Sequence, residues 1–134
     1  MRYMLDTNAC IDLIHGKRQS VIARIREHMA DGLCISSITL AELEHGVEKS
    51  AYREQNRVAL LKMLTIFKVI PFDDTAAEEY GRIRADLERR SMQIGPLDLL
   101  IAAHAKAEEF VLVTNNVHEF TRVDGLVVED WRDQ

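Results

Sequence analysis

Four carboxylates stand where acids that do chemistry would have to stand. Asp6 directly follows the apolar run Tyr3-Met4-Leu5, and Glu42 lies one to two turns into the helical pattern after Leu33-Cys34-Ile35 and Ser36-Ser37. Asp98 sits in the first turn of a helix opened by Pro96, and Glu119 comes shortly after Phe110 to Val113 and Thr114-Asn115-Asn116. Each acid has an ordinary explanation when taken alone. Asp6 can cap a helix, Thr39-Leu40-Ala41-Glu42 fits a capping box, Asp98 complements a helix dipole, and Glu119 reads as a solvated acid on a short helix. Asp98 resists that treatment most, because Leu97, Leu99, Leu100, Ile101, Ala102 and Ala103 surround it. An unpaired charge in such a setting costs several kcal/mol. Taken together, the acids pose an electrostatic problem. Two unit charges at ~4 Å repel by about 4 kcal/mol at an effective dielectric of 20. A shared pocket therefore requires protons or a cation. Oxygen ligands without a Cys/His cluster select Mg2+ or Mn2+ over zinc, and such an ion suits phosphodiester hydrolysis.

These acids converge only if the chain alternates strands and helices. Buried strands are predicted at Tyr3-Met4-Leu5, Leu33-Cys34-Ile35, Val69-Ile70 with Phe72, Phe110 to Val113, and Leu126-Val127-Val128. Apolar stripes at helical spacing run through Val21, Ile22, Ile25 and Met29, through Val58, Leu61, Leu64 and Thr65, and through Ala76, Tyr80, Ile83 and Leu87. Pro96 occupies the one helical position that tolerates its missing N–H. The alternation predicts an α/β fold: a Rossmann-like central parallel sheet with helices on both faces. In such sheets ligands bind beyond the carboxyl ends of the strands, which is where the four acids fall.

With 134 residues and no repeat or linker, residues 1–134 read as a single domain. The composition is 47% hydrophobic and 29% charged, which excludes a disordered or collagen-like chain. Neither a signal peptide nor a membrane span is legible, so the expected compartment is the cytoplasm. Cys10 and Cys34 read as packed thiols, and His104 as a structural hydrogen-bonder. The net charge of -5 argues against binding polyanions by bulk electrostatics, so any nucleic acid must be met by a local basic patch or by cations. Arg82, Arg84, Arg89 and Arg90 form one such patch, although Arg82–Asp86, Arg84–Glu88 and Asp86–Arg90 are i,i+4 pairs. Lys49, Arg53, Arg57 and Lys62 form another, with Glu54 nearby.

The order Met4-Leu5-Asp6-Thr7-Asn8, Ser36-Ser37-Ile38-Thr39-Leu40-Ala41-Glu42-Leu43 with Gly46, Gly95-Pro96-Leu97-Asp98 through Ala105, and Val113-Thr114-Asn115-Asn116 with Glu119-Phe120 resembles the PIN-domain ribonucleases. Specifically, it is similar to the VapC toxins of VapBC toxin–antitoxin pairs, over essentially the whole chain including Val128-Glu129-Asp130-Trp131. The resemblance implies a PIN-like sheet and a Mg2+- or Mn2+-dependent endoribonuclease that cuts RNA, tRNA rather than ribosomal RNA, with water that the cation activates. Asp6 and Asp98 would be principal metal ligands, Glu42 a third acid acting directly or through water, and Thr114 a positioning hydroxyl. Asn116 stands where many members carry a fourth aspartate; Glu119 is the acid near enough to substitute, with a second ion arriving with substrate. The resemblance also implies a VapB antitoxin seated over helices bearing Leu40, Leu43, Val47, Val58, Leu61 and Leu64. A homodimer and contact with operator DNA only through the antitoxin complete the expectation. Two other readings stay open: a catalytically inert PIN-like scaffold that binds RNA or protein, and a phosphatase or phosphoacceptor. For the last, position 8 is Asn and Asp6 has no acid beside it.

Overall fold

Tyr3, Met4 and Leu5 are apolar without alternation because β1 (Tyr3–Leu5) is the central strand of a sheet covered on both sides. In the computed structural model, residues 2–16 and 19–132 are described. After β1 come α1 (Thr7–His15), α2 (Gln19–His28), a 3₁₀ turn (Met29–Asp31), β2 (Leu33–Ser36), α3 (Ser37–Lys49) and α4 (Arg53–Met63). The chain continues through β3 (Lys68–Ile70), α5 (Asp74–Arg89), α6 (Pro96–Ala107), β4 (Val111–Val113), α7 (Val117–Phe120) and β5 (Val128–Glu129). The strand order is β3-β2-β1-β4-β5, and every pairing is parallel. The expected α/β class and PIN-like parallel sheet are what the chain forms.

The strand period of two splits the core. Tyr3 and Leu5 join Val21, Ile25, Leu43, Val47, Leu60 and Met63 on the face covered by α1 to α4. Met4 and Leu112 face the other way, against Ile83, Leu87, Leu99, Ile101 and Phe120 of α5 to α7. Trp131 closes the first layer: it is buried, stacks 5.1 Å from His28, and donates its indole N–H to Glu129 at 2.9 Å.

Several details differ from the sequence expectation, including β4, which begins at Val111 and leaves Phe110 outside it. The buried residues of α4 are Leu60 and Met63, while Val58 and Leu61 are 51% and 55% exposed. Val58 and Leu61 mark an outward face, whereas Leu64 of the same stripe packs partly buried against the core. Met29 likewise leaves its stripe, because α2 ends at His28 and the 3₁₀ turn rotates Met29 to 53% exposure. Phe72 lies outside β3: Pro71 has no N–H for the ladder, and the Phe72 N–H donates instead to Ser37 Oγ at 3.0 Å. The fifth strand begins at Val128, leaving Val127 53% exposed. On α5, Arg84–Glu88 and Arg90–Asp86 pair as expected, whereas Arg82 turns back to Glu79 at 3.4 Å. In the other basic patch, Arg57 is taken by Glu44 and Glu48, and Arg53 by Glu48.

Candidate active site

The carboxyl ends of the central strands carry the polar residues. Asp6 leaves β1 as the N-cap of α1, and its Oδ1 accepts the Ala9 N–H at 2.9 Å. Its Oδ2 accepts Thr114 Oγ1, from the end of neighbouring β4, at 2.5 Å. Asp6 and Thr114 are both buried, at 2% and 1% exposure. The cap explanation of Asp6 is therefore correct but incomplete, since one oxygen satisfies the cap and the other faces across the strand ends. Thr114 Oγ1 also accepts the Asn116 N–H at 2.9 Å, which fixes its rotor.

Glu42 is not part of a capping box. Helix α3 starts at Ser37 with Ser36 as its cap, whose Oγ accepts the Ile38 N–H at 3.0 Å, so Thr39 and Glu42 already lie inside the helix. Released from capping, Glu42 accepts Thr7 Oγ1 at 2.5 Å, and this bond ties α3 to the start of α1.

Asp98 occupies the first turn of α6, whose residues Leu99 and Ile101 to Ala105 are buried. It meets Glu119, which is far from a solvated surface acid. Oε1 of Glu119 accepts the Gly95 N–H and Oε2 accepts Asn116 Nδ2, each at 2.8 Å. Asn116 thus helps to position the Glu119 carboxylate.

Burial pushes the Asp6 carboxyl up to about 6; the bonds from Thr114 and Ala9 oppose the rise, and the charges of Asp98 and Glu42 add to it. Burial also raises Asp98 to about 6, reinforced by Glu119, by Glu42 and by a side-chain hydrogen bond with Glu119. The Gly95 N–H pulls Glu119 below its ordinary value against its own partial burial, so of the two carboxyls Asp98 is the one that binds a proton more tightly. Asp6 therefore feels Asp98 and Glu42, and Asp98 feels Glu42 and Glu119. Among the described residues, however, no three His, Cys, Asp or Glu side chains already form a cage for an ion. Asp6, Glu42 and Glu119 are each held by protein donors. The donor set still fits a hard divalent cation: it is all oxygen, and a bound cation would replace the protons that repulsion and burial now favour.

Gly95 was legible only as part of a motif. Its φ of -56° suits any residue, so its backbone does not call for glycine. The space does. A Cβ there would stand 3.7 Å from Asp98 Oδ2 and 3.7 Å from Glu119 Oε1, between the two acids. Gly95→Ala is expected to fold with stability within about 1 kcal/mol of the parent. It should weaken Mn2+ binding on the order of 10–100-fold, the scale for disturbing groups that orient metal ligands. Titration calorimetry checks this, and parental affinity would show that the space is idle.

Other residues have supporting roles. His104 is fully buried, its Nδ1 lies 2.8 Å from Ser36 Oγ, and burial lowers its pKa, so it bridges α6 to the cap of α3 as a neutral ring. Cys10 and Cys34 are buried free thiols whose pKa values burial raises. Thr7 and Gly95 stand in the sequence motifs only as neighbours of Asp6 and Pro96; that they hold Glu42 and Glu119 comes from tertiary packing.

Comparison with known proteins adds an independent line. The family model for the PIN domain matches residues 3–126. The tRNA(fMet)-specific endonuclease VapC of Shigella flexneri is 43% identical over 131 residues, 98% of each chain. Ribonuclease VapC2 of Rickettsia felis is 44% identical over 133 residues, again 98% of each. Among solved structures, VapBC2 from Rickettsia felis bound to a DNA fragment from their promoter superposes with a TM-score of 0.94 at 42% identity, covering 98% of this chain and 99% of that one.

Proposed function

This chain belongs to the PIN domain family and, within it, to the VapC ribonucleases; on that premise we propose that it is the toxin of a VapBC-type pair, a Mg2+- or Mn2+-dependent endoribonuclease. The observation that carries the reading is the gathering of Asp6, Glu42, Asp98 and Glu119 at one rim, with two of them raised to about 6. Asp6 and Asp98 would hold the cation, with Glu42 and Glu119 completing the shell directly or through water. A bound divalent ion supplies a Lewis acid that lowers the pKa of water and offsets charge on the scissile phosphate. Thr114 fixes which oxygen of Asp6 faces the rim, Thr7 does the same for Glu42, and Gly95 with Asn116 clamps Glu119. At the strand ends Ser36 is buried as the cap of α3 and Ser37 accepts the Phe72 N–H, so the proposed reaction is direct hydrolysis by water in line with the leaving oxygen.

The relative's tRNA specificity favours tRNA over ribosomal RNA as substrate. A VapB-type antitoxin is the proposed protein partner, with operator DNA reached through it. Its apolar segment would lie on the outward face of α4, where Tyr52, Val58 and Leu61 are 68%, 51% and 55% exposed, rather than on Leu43 and Val47, which are core. Cytoplasmic residence and homodimerisation accompany this reading, and among the described residues no helix is long and apolar enough to cross a membrane.

The test is incubation of total RNA with purified, antitoxin-free protein in Mg2+, Mn2+ or EDTA. Discrete fragments that require the ion support the enzyme, and mapping their ends names the substrate. Intact RNA in both metals, from folded protein, returns the chain to the binding scaffold.

A further inference from the structure

We propose that the groove between the α5–α6 connection and α7 is a track for single-stranded RNA leading away from the four acids, with Arg122 as its phosphate contact. The proposal rests on the ribonuclease reading and deepens it. The groove holds about 690 Å³ and is lined by Arg90, Met92, Gln93, His118, Thr121 and Arg122. No carboxylate is among its lining residues.

Charge singles out Arg122. Of the two arginines that line the groove, Arg90 is neutralised by Asp86. Arg122 instead donates to a neutral carbonyl, Gln93 O, at 2.9 Å; its charge helps lower the nearby Glu119, but among the described residues it makes no ion pair. Its remaining donors are those of a fork suited to phosphate.

Position connects the groove to the acids. Arg122 follows Glu119 by one helical turn, and its N–H donates to Glu119 O at 3.2 Å. Side chains so spaced are neighbours, about 5–6 Å apart at Cβ. Gln93, which Arg122 holds, is two residues before Gly95, which holds Glu119. A strand with a phosphate at the acids therefore meets Arg122 next. The groove wall also offers surfaces for a base. Met92 is 46% exposed and carries a polarizable thioether, and the His118 ring is exposed opposite. A guanidinium beside flat or soft apolar side chains is how single strands are bound without sequence readout.

The experiment measures binding of a single-stranded RNA oligonucleotide in an Asp98→Asn background with Mg2+, across a salt series, together with cleavage kinetics in the otherwise native chain. Arg122→Gln should weaken binding five- to tenfold and reduce the slope of log K against log salt by about 0.7, the value for one phosphate on a single strand. Its kcat should change less than its KM. Because Arg122 also braces Gln93, Thr121→Glu serves as a second variant: it adds a charge to the groove wall, leaves that brace alone, and should weaken binding similarly. Parental affinity and slope in both variants would overturn the proposal. So would an effect confined to Arg122→Gln with a lowered Tm, which would make Arg122 a loop brace only. Native cleavage by Asp98→Asn would instead overturn the site assignment, a result that no change in binding slope can mimic.

Discussion

Asp98→Asn is expected to reduce metal-dependent RNA cleavage by on the order of 10³-fold, the scale of losing one preorganised electrostatic contact in a catalytic site. The substitution keeps shape and hydrogen-bonding capacity, so the first turn of α6 should stay as it is. What it removes is the charge that a cation needs and that Glu119 and Glu42 now resist. Circular dichroism and the Tm of the metal-free variant should therefore match or exceed those of the parent. Cleavage assays beside those measurements separate a chemical loss from a folding loss. Retained cleavage in a folded variant would remove Asp98 from the centre. Asp6→Asn should behave alike, because Asn is an equally good helix cap for Ala9 and remains within reach of Thr114.

The second large effect is on stability. Asp6 has an ordinary value of 3.8 and a folded value of about 6, so the folded chain holds its proton more tightly than the unfolded one. Its contribution is present below pH 4 and is lost as pH rises towards 6, leaving a penalty at neutral pH. A shift of about two units corresponds to ~3 kcal/mol, or roughly 10 °C in Tm for a domain of this size. Asp98 acts in the same direction with a smaller effect, since it is only half-buried and solvent screens it. Glu119 acts oppositely, because its value is lowered. The clean quantity is therefore the difference between Asp6→Asn and the parent, measured without metal from pH 4 to pH 7.5. That difference should grow with pH in favour of Asn. Saturating Mn2+ should rescue the parent at pH 7.5 and do little at pH 4, where protons already occupy the acids. A difference that stays flat across the range would refute the buried, repelled state of Asp6.

How much of this was readable from residue order depends on whether a signal was local. The strands Tyr3-Met4-Leu5 and Leu33-Cys34-Ile35 and the proline start of α6 are local, and each falls where the residues put it. Asp6 and Asp98 were legible because strand-end and helix-start positions are set by neighbours in the chain. Glu42 looked like a cap because Thr39 sits three residues before it, yet Ser36 takes that role once β2 runs one residue further. The state of Glu119 was not readable at all. Its clamp comes from Gly95, 24 residues away, and only tertiary packing brings that N–H to it. Val58 and Leu61 fail for a related reason: helical spacing reveals that an apolar face exists but not whether the core or a partner covers it.

The all-parallel sheet also sets a schedule. No strand pairs with its neighbour through a hairpin, and the bond from Thr114 to Asp6 joins residues 108 apart. Such closures are slow and come late, because long loops must be ordered before contacts reward them. The acids are spread from residue 6 to residue 119, and Trp131 seals the layer beneath them. During synthesis, then, the rim cannot assemble until every residue from Asp6 to Glu119 has emerged, so the four acids come together in one late step rather than in stages.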